Sequence, residues 1–502
     1  MPLSDLQKAP ATVDNRRWVV LGVLCASLLL IGMDVTVLHV AAPSLTVAVG
    51  PSATQLLWIV DAYALTVAAS LVTAGTLADR FGRKRMLLWG FLVFALASAA
   101  AAFAPTPGLL IAARAALGVG GAMVMAATVA IIRVVFTAGR ERALAIGAWT
   151  ASYSVGTAVG PIVGGALLER YWWGAVFLVN LPVAAAAITL GAWLIPESRS
   201  SRPKRWDAGS AALSVAGLAG LVYTVKHLGE DGLARPSTAV VALVAAGLVA
   251  WFVRRQRRPE PLLDLTLLAT RRVSTATIVV LASFASYIGL LFFLTQLLQL
   301  VAGYSPLRTG LALLPLAVAN AAGSVLAPRM AARWGERLCV AGGLGLCAIA
   351  MAALAMPSVL DGPSGYAPLG ALLFLVGLGT GVVSTLASDV IVSGARADQA
   401  GEAAAIQETS FELGAGLGIA VFGTVLAATY RANLVLPPHL PDGAADAAKQ
   451  SLATAVHFSS GRNAPALAET AQSAFVTGLS AAAWSAAALL LAAAAMTAIR
   501  LR

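Results

Sequence analysis

Fourteen stretches of this chain are apolar for long enough to cross a bilayer, and that repetition constrains the fold more than any other feature. A helix rises ~1.5 Å per residue and the hydrocarbon core is ~30 Å thick, so about 20 consecutive apolar residues make one span. Read from polar break to polar break, the runs are Trp18–Ala42, Thr54–Ala78, Met86–Ala104, Gly108–Ile132, Ala143–Leu168, Trp172–Ile195 and Ala208–Lys226. They continue as Thr238–Val253, Val273–Val301, Thr309–Ala327, Leu338–Met356, Ala367–Ser393, Glu402–Tyr430 and Ala474–Ile499. Only 11% of the residues are charged, against roughly a quarter in a soluble domain. The expectation is an all-α integral membrane protein whose first run is a retained span, too long for a cleaved signal segment.

An even number of spans puts both termini on one side, and the basic residues say which. With alternate loops assigned to that side, it receives Lys8, Arg16, Arg17, the clusters within 80–85, 133–142, 199–205 and 254–272, then Arg329, Arg333, Arg337, Arg396, Arg500 and Arg502. These are 26 of the 34 basic residues, so both termini are expected in the cytoplasm. The formal net charge of +11 is thereby a topology signal, and no long polar stretch exists to carry nucleic acid. The three cysteines lie in apolar runs, the four histidines have no metal-ligand spacing, and no nucleophile elbow, HExxH or phosphate loop appears. An enzyme or a self-contained ATP-driven pump is not expected, nor a metal or organic cofactor.

The chain also repeats itself. LADRFGRK at 77–84 returns as MAARWGER at 330–337, 253 residues later, each joining an even span to the next odd one. Spans 1 to 6 then match spans 9 to 14, with spans 7 and 8 inserted between. The expected division is a cytoplasmic N-terminus (1–17), a six-helix half (18–196), a two-helix linker (197–272), a second six-helix half (273–499) with an outer loop at 431–473, and a cytoplasmic end (500–502). That loop reads equally as a short cap or as a connector. Repeated halves with a site at their interface are a common plan of secondary transporters.

Six ionisable residues fall inside spans: Asp34, Asp61, Arg114, Asp389, Glu408 and Glu412. Each is expensive in hydrocarbon and is expected to face a cavity or a partner. Asp34 lies sixteen residues, ~24 Å, into span 1, while Asp61 and Arg114 lie near the outer starts of spans 2 and 4, so the three are expected to cluster. In AIQETSFELG (405–414), Glu408 and Glu412 share one helical face, with Phe411 beside them. Neighbouring carboxyls in low dielectric cannot both ionise easily, so a proton and a cation are expected to occupy the pair in alternation. Asp389 reads as interfacial. Aromatic candidates for holding a delocalised cation are Trp58, Tyr63, Trp149, Tyr153, Tyr287, Phe292, Phe293 and Phe411.

Two glycine-rich stretches complete the inventory. In GTLADRFGRKR (75–85), Gly75 is expected to let helices approach, Gly82 to make a tight turn, Asp79 to pair with Arg83, and Arg80 to lie in the same loop. In GTAVGPIVGGAL (156–167), Gly156, Gly160 and Gly164 form a smooth face, Gly165 follows, and Pro161 frees a carbonyl and favours a bend. The second loop copy has Ala332 in place of Asp79, so only the first half carries the full loop.

With MDVTVLHVAAP (33–43) in span 1 and WIVDAYAL (58–65) in span 2, these motifs make the whole chain resemble the fourteen-helix drug:proton antiporters of the major facilitator superfamily. It is most similar to the Qac-type exporters of quaternary ammonium compounds. The resemblance implies a multi-pass bacterial inner-membrane exporter, a monomer that moves lipophilic cations outward in exchange for protons. It implies functional acids at Asp34, Asp61, Glu408 and Glu412, a gating latch at 75–85, and a conformational seal in span 5. Where Qac-type exporters carry further acids this chain has neutral Gln407 and Asn320, which implies weaker handling of divalent cations. Alternatives are a dedicated exporter of one self-made antibiotic and a non-transporting receptor; uptake symport is disfavoured by the span 5 motif.

Overall fold

The computed structural model describes residues 12–136, 139–199, 207–231, 236–258, 265–356, 366–394, 400–436, 444–462 and 465–501. Residues 1–11, parts of the linker (200–206, 259–264) and of the outer loop (437–443, 463–464), the loop around Arg396 and the terminal Arg502 lie outside the described residues. The helices of the first half are α1 (Thr12–Val49), α2 (Ala53–Phe81), α3 (Arg83–Ala102), α4 (Pro107–Val135), α5 (Gly139–Leu168), α6 (Ala175–Leu178) and α7 (Asn180–Leu194). The inserted pair is α8 (Ala208–Asp231) and α9 (Pro236–Arg255). The second half runs α10 (Arg271–Gln296, continued by a wider π turn at Leu297–Val301), α11 (Pro306–Ala312), α12 (Leu314–Trp334), α13 (Glu336–Leu354), α14 (Ala367–Ser393) and α15 (Ala400–Asn433). It closes with α16 (Ala444–Gln450), α17 (Leu452–Arg462) and α18 (Pro465–Arg500).

These helices supply fourteen membrane spans among the described residues. Spans 6 and 10 are each made of two pieces, α6–α7 and α11–α12, and Pro182 and Pro315 sit in the first turn of the second piece, where no N–H is needed. The largest differences from the sequence reading are at two ends: α1 runs on to Val49 rather than stopping at Ala42, and α18 begins at Pro465 rather than at Ala474. α1 passes through Pro43, whose missing N–H leaves the His39 carbonyl without its helical donor. The Thr295 hydroxyl of α10 donates to that carbonyl at 2.9 Å, so tertiary structure replaces the lost bond.

The repeat is visible in the packing. In the first half α1 lies against α5, α2 against α4 and α3 against α7; in the second, α10 lies against α15, α12 against α14 and α13 against α18. Glycines bring one pair of corresponding helices into close contact in each half. A Cβ added at Gly156 would run into the Leu29 carbonyl of α1, and one added at Gly418 into the Ala285 carbonyl of α10. The repeated loops agree as well: Gly82 joins α2 to α3 at φ 117° and Gly335 joins α12 to α13 at φ 81°, a region that side chains with a Cβ rarely enter.

The inserted helices pack to one side. α8 covers the seam between α2 and α15 through Val222, buried with Leu65 and Ala420. The Thr424 hydroxyl donates to the Val225 carbonyl at 3.2 Å. At the cytoplasmic end, Arg255 holds Asp207 with two hydrogen bonds of 2.7 and 2.8 Å, tying α9 to the start of α8. These bonds, with those from Ser210, hold the Asp207 carboxyl well below the usual carboxylate range. On the outer side, the described part of 431–473 holds the end of α15, the short helices α16 and α17 and the start of α18; the Tyr430 hydroxyl donates to the Ala448 carbonyl at 2.7 Å.

Candidate functional site

Five elements of the first half converge on Asp34. Arg114 of α4 donates to Asp34 Oδ2 at 2.6 Å, and Asn180 at the start of α7 donates to Oδ1 at 2.9 Å. Asn180 also donates to Ser98 Oγ of α3 at 2.8 Å, and Arg114 Nε donates to the Ile59 carbonyl of α2 at 3.1 Å. Asp34 and Arg114 are 0% and 1% exposed, so both charges are removed from water. Such a pair is tolerable only when its remaining hydrogen-bond capacity is filled, which is the role of Asn180 and the Ile59 carbonyl. Asp61, also buried, lies two residues beyond Ile59. The expected outer cluster therefore forms at Asp34 and Arg114. Asn180 and Ser98, which complete it, were not among the sequence candidates; a neutral Asn inside an apolar run was the available signal.

Glu412 approaches this network from the other half. It is buried on α15 and accepts a hydrogen bond of 3.3 Å from the Tyr153 hydroxyl of α5. No cation forms an ion pair with it among the described residues. Tyr63 belongs to the Arg114 side of the site: its ring lies 4.7 Å from the guanidinium carbon, and its hydroxyl lies against Gly121 of α4. That hydroxyl is buried with no hydrogen-bond partner among the described residues. Glu408, one turn nearer the cytoplasm, is half-buried, and Asp389 is exposed, in keeping with an interfacial place.

The aromatic candidates divide. Phe411, Phe284 and Tyr287 form a half-buried row with ring centroids 4.6 and 6.0 Å apart, and Phe411 precedes Glu412 on α15. Trp58 is half-buried near α8. Two expectations are corrected. Trp149 is buried, and its indole N–H donates to Thr128 of α4 at 3.1 Å, so it packs within the first half. Phe292 is 1% exposed and stacks edge-on against His39 and Phe293, which makes it part of a closed seam.

That seam joins the outer ends of the two halves. A Cβ on Gly165 would come within 2.6 Å of Leu307, and Gly310 faces the Pro161 carbonyl, so the span 5 motif touches α11 of the other half. Gly160 faces Met33 and Thr36 of α1, and Gly164 faces Val37. Pro161 frees the Thr157 carbonyl, which accepts from the Thr36 hydroxyl at 3.0 Å, the bond the sequence left open. Ser305 donates to Glu169 at 2.8 Å, and Gln299 donates to the Val40 carbonyl at 2.9 Å. The outer side is closed.

The cytoplasmic loop behaves differently. Arg83 donates to Asp79 at 2.8 Å, as expected, and Gly82 makes the turn; a Cβ there would collide with the Glu197 carboxylate. Glu197 accepts from the Lys84 N–H at 3.2 Å, and Lys84 Nζ donates to the Ala192 carbonyl at 2.6 Å, so these bonds dock the loop onto the end of span 6. Arg80 lies over the Phe81 ring. Gly75 is a correction: a Cβ there would meet nothing within 4 Å, so no close approach depends on it.

Comparison with known proteins agrees with this architecture. The Major Facilitator Superfamily model matches residues 24–419, and the chain belongs to that superfamily. It is 41% identical to the multidrug efflux pump LfrA of Mycolicibacterium smegmatis, over 99% of each chain. It is 34% identical to the methyl viologen resistance protein SmvA of Salmonella typhimurium, over 95% of this chain and 96% of that one. The fold also matches a crystal structure of a bacterial homolog of the human lysosomal transporter Spinster, inward-facing and occupied, with a TM-score of 0.68 at 17% identity over 97% of each chain. The protein is a multi-pass inner-membrane member of a transporter superfamily, with multidrug efflux pumps among its relatives.

Proposed function

We propose that the protein exports lipophilic cations in exchange for protons by alternating access. The observation that carries this reading is Glu412, a buried acid without a counter-ion, on the second half and hydrogen-bonded to Tyr153 of the first. A carboxyl in such a place favours its neutral form until a cation arrives, so a proton and a drug compete for one oxygen pair. Glu408 is the less buried first stop from the cytoplasm, and the Phe284, Tyr287 and Phe411 row offers π faces to a delocalised cation. Asp34 is already neutralised by Arg114 and serves as the second acid, releasing or taking charge when the halves rock and the pair loosens. Tyr63, whose ring lies on Arg114, is the group through which a change at that pair would pass to its neighbours. The names of the relatives, a multidrug pump and a methyl viologen resistance protein, support a cationic substrate class.

The test is purified protein in vesicles with an imposed pH gradient and a pH-sensitive dye. Addition of methyl viologen or ethidium is expected to release protons across the membrane, and neutral or anionic compounds are not. Glu412→Gln is expected to lower the rate at least tenfold, and Glu408→Gln to raise the apparent KM more than it lowers kcat. Equal proton movement with Glu412→Gln would overturn the site.

A further inference from the structure

His39 is the buried ionisable group that this mechanism leaves unused. It stands on α1 at the outer seam, 1% exposed, with neither ring nitrogen hydrogen-bonded among the described residues. Its ring lies edge-on to Phe292 of the other half at 5.6 Å, and its carbonyl is the one left open by Pro43 and filled by Thr295 across the seam. Alternating access requires these contacts to separate.

We propose that His39 is the proton-responsive element of the outer seam: the seam closes over a neutral imidazole, and an imidazolium holds it open. Closing over a charged ring would bury an ion with no partner, which the apolar contacts cannot repay. α10 presents Phe292 to the ring and Thr295 to the His39 carbonyl, and neither ionises in this range. The cation of the neighbouring site, Arg114 of α4, is paired with Asp34 and carries the same sign of charge as an imidazolium. Asp34, five residues earlier on the same helix, is already engaged by Arg114 and Asn180.

With the seam open, the ring meets outer water and titrates near the ordinary imidazole value of about 6.5. The open form then binds a proton that the closed form excludes, so closure is favoured above that pH and lost as pH falls through it. Well below about 6.5 the open-to-closed ratio grows about tenfold per pH unit. Acid outside therefore keeps the carrier in the state that releases drug and slows its return.

The experiment uses the full chain in nanodiscs, in a Cys25→Ser, Cys339→Ser, Cys347→Ser background. Spin labels are placed at the exposed outer positions Tyr171 and Leu311, one on each half. Distances are measured by pulsed dipolar spectroscopy from pH 8 to pH 5, with and without methyl viologen. The long-distance population is expected to rise as pH falls below about 6.5. The rise is expected to be absent in both His39→Asn and His39→Phe, whose drug-dependent distances report that each variant folds and moves. A pH response that survives in either moving variant, or that is missing from the unsubstituted protein, overturns the proposal. The inference rests on the alternating-access reading, and a distance fixed under drug and at every pH would sink both; movement with drug but unchanged pH response would sink only this one.

Discussion

At the scale of single residues the site is a matter of satisfying buried charge. Asp34 and Arg114 are 80 positions apart in sequence, and neither is tolerable without the other. Asn180 uses one amide group to fill the second oxygen of Asp34 and to fix Ser98. Asn180→Leu removes a hydrogen bond to a charged group, worth about 1.5–3 kcal/mol, and is expected to slow drug/proton exchange tenfold or more. Vesicle assays across pH 6 to 8 check this, and a merely structural role would lower the rate without altering the shape of the pH profile. The acids were legible in the sequence because charge in an apolar run is conspicuous. Asn180 was not, because a neutral amide looks like ordinary tolerance, and its function depends on a carboxylate 146 residues away.

At the scale of elements, small residues decide which helices meet. Gly156→Ala is expected to push α5 off α1 and cost about 1–3 kcal/mol, because the added Cβ meets the Leu29 backbone. Gly147→Ala on the same helix meets nothing within 4 Å and is expected to be neutral or slightly stabilising. Thermal unfolding in detergent compares the two. The spacing of Gly156, Gly160 and Gly164 announced this face in advance, whereas Gly414 and Gly418 of span 13, which lie against α10, were not read from the sequence. Gly75 looked similar and packs against nothing, since composition does not reveal which side of a helix has a neighbour. The α8–α9 pair offers a pH test. Asp207 is held below the usual carboxylate range by Arg255, so its contribution is full above the unfolded value of about 3.9 and fades as pH falls toward the lowered one. Asp207→Asn is expected to lower the apparent Tm at pH 7, and the difference from the unsubstituted protein is expected to shrink below about pH 4.

At the scale of the whole molecule, the two halves meet through the outer seam, and transport requires that seam to part. Cysteines placed at Glu169 and Ser305, whose side chains are hydrogen-bonded at 2.8 Å, and bridged by a short bifunctional thiol reagent are expected to cut export to less than a tenth. A reducing agent that cleaves the bridge is expected to restore it, and full export by the bridged protein would mean that the seam is static. The cytoplasmic loop at 75–85 forms its described bonds from Lys84 to span 6 of its own half.

The sequence by itself determined the spans, their orientation, the repeat and the acids, because lipid imposes its demands residue by residue: length, apolarity and the side on which positive charge remains. Tertiary structure alone decided which groups meet. It joined Asp34 to Asn180, aimed Tyr153 at Glu412, turned Trp149 into packing, and set Thr295 on a carbonyl 256 residues away that Pro43 had left open. Those are pairings between distant positions, and no local pattern encodes a partner that only the folded bundle brings within hydrogen-bond reach.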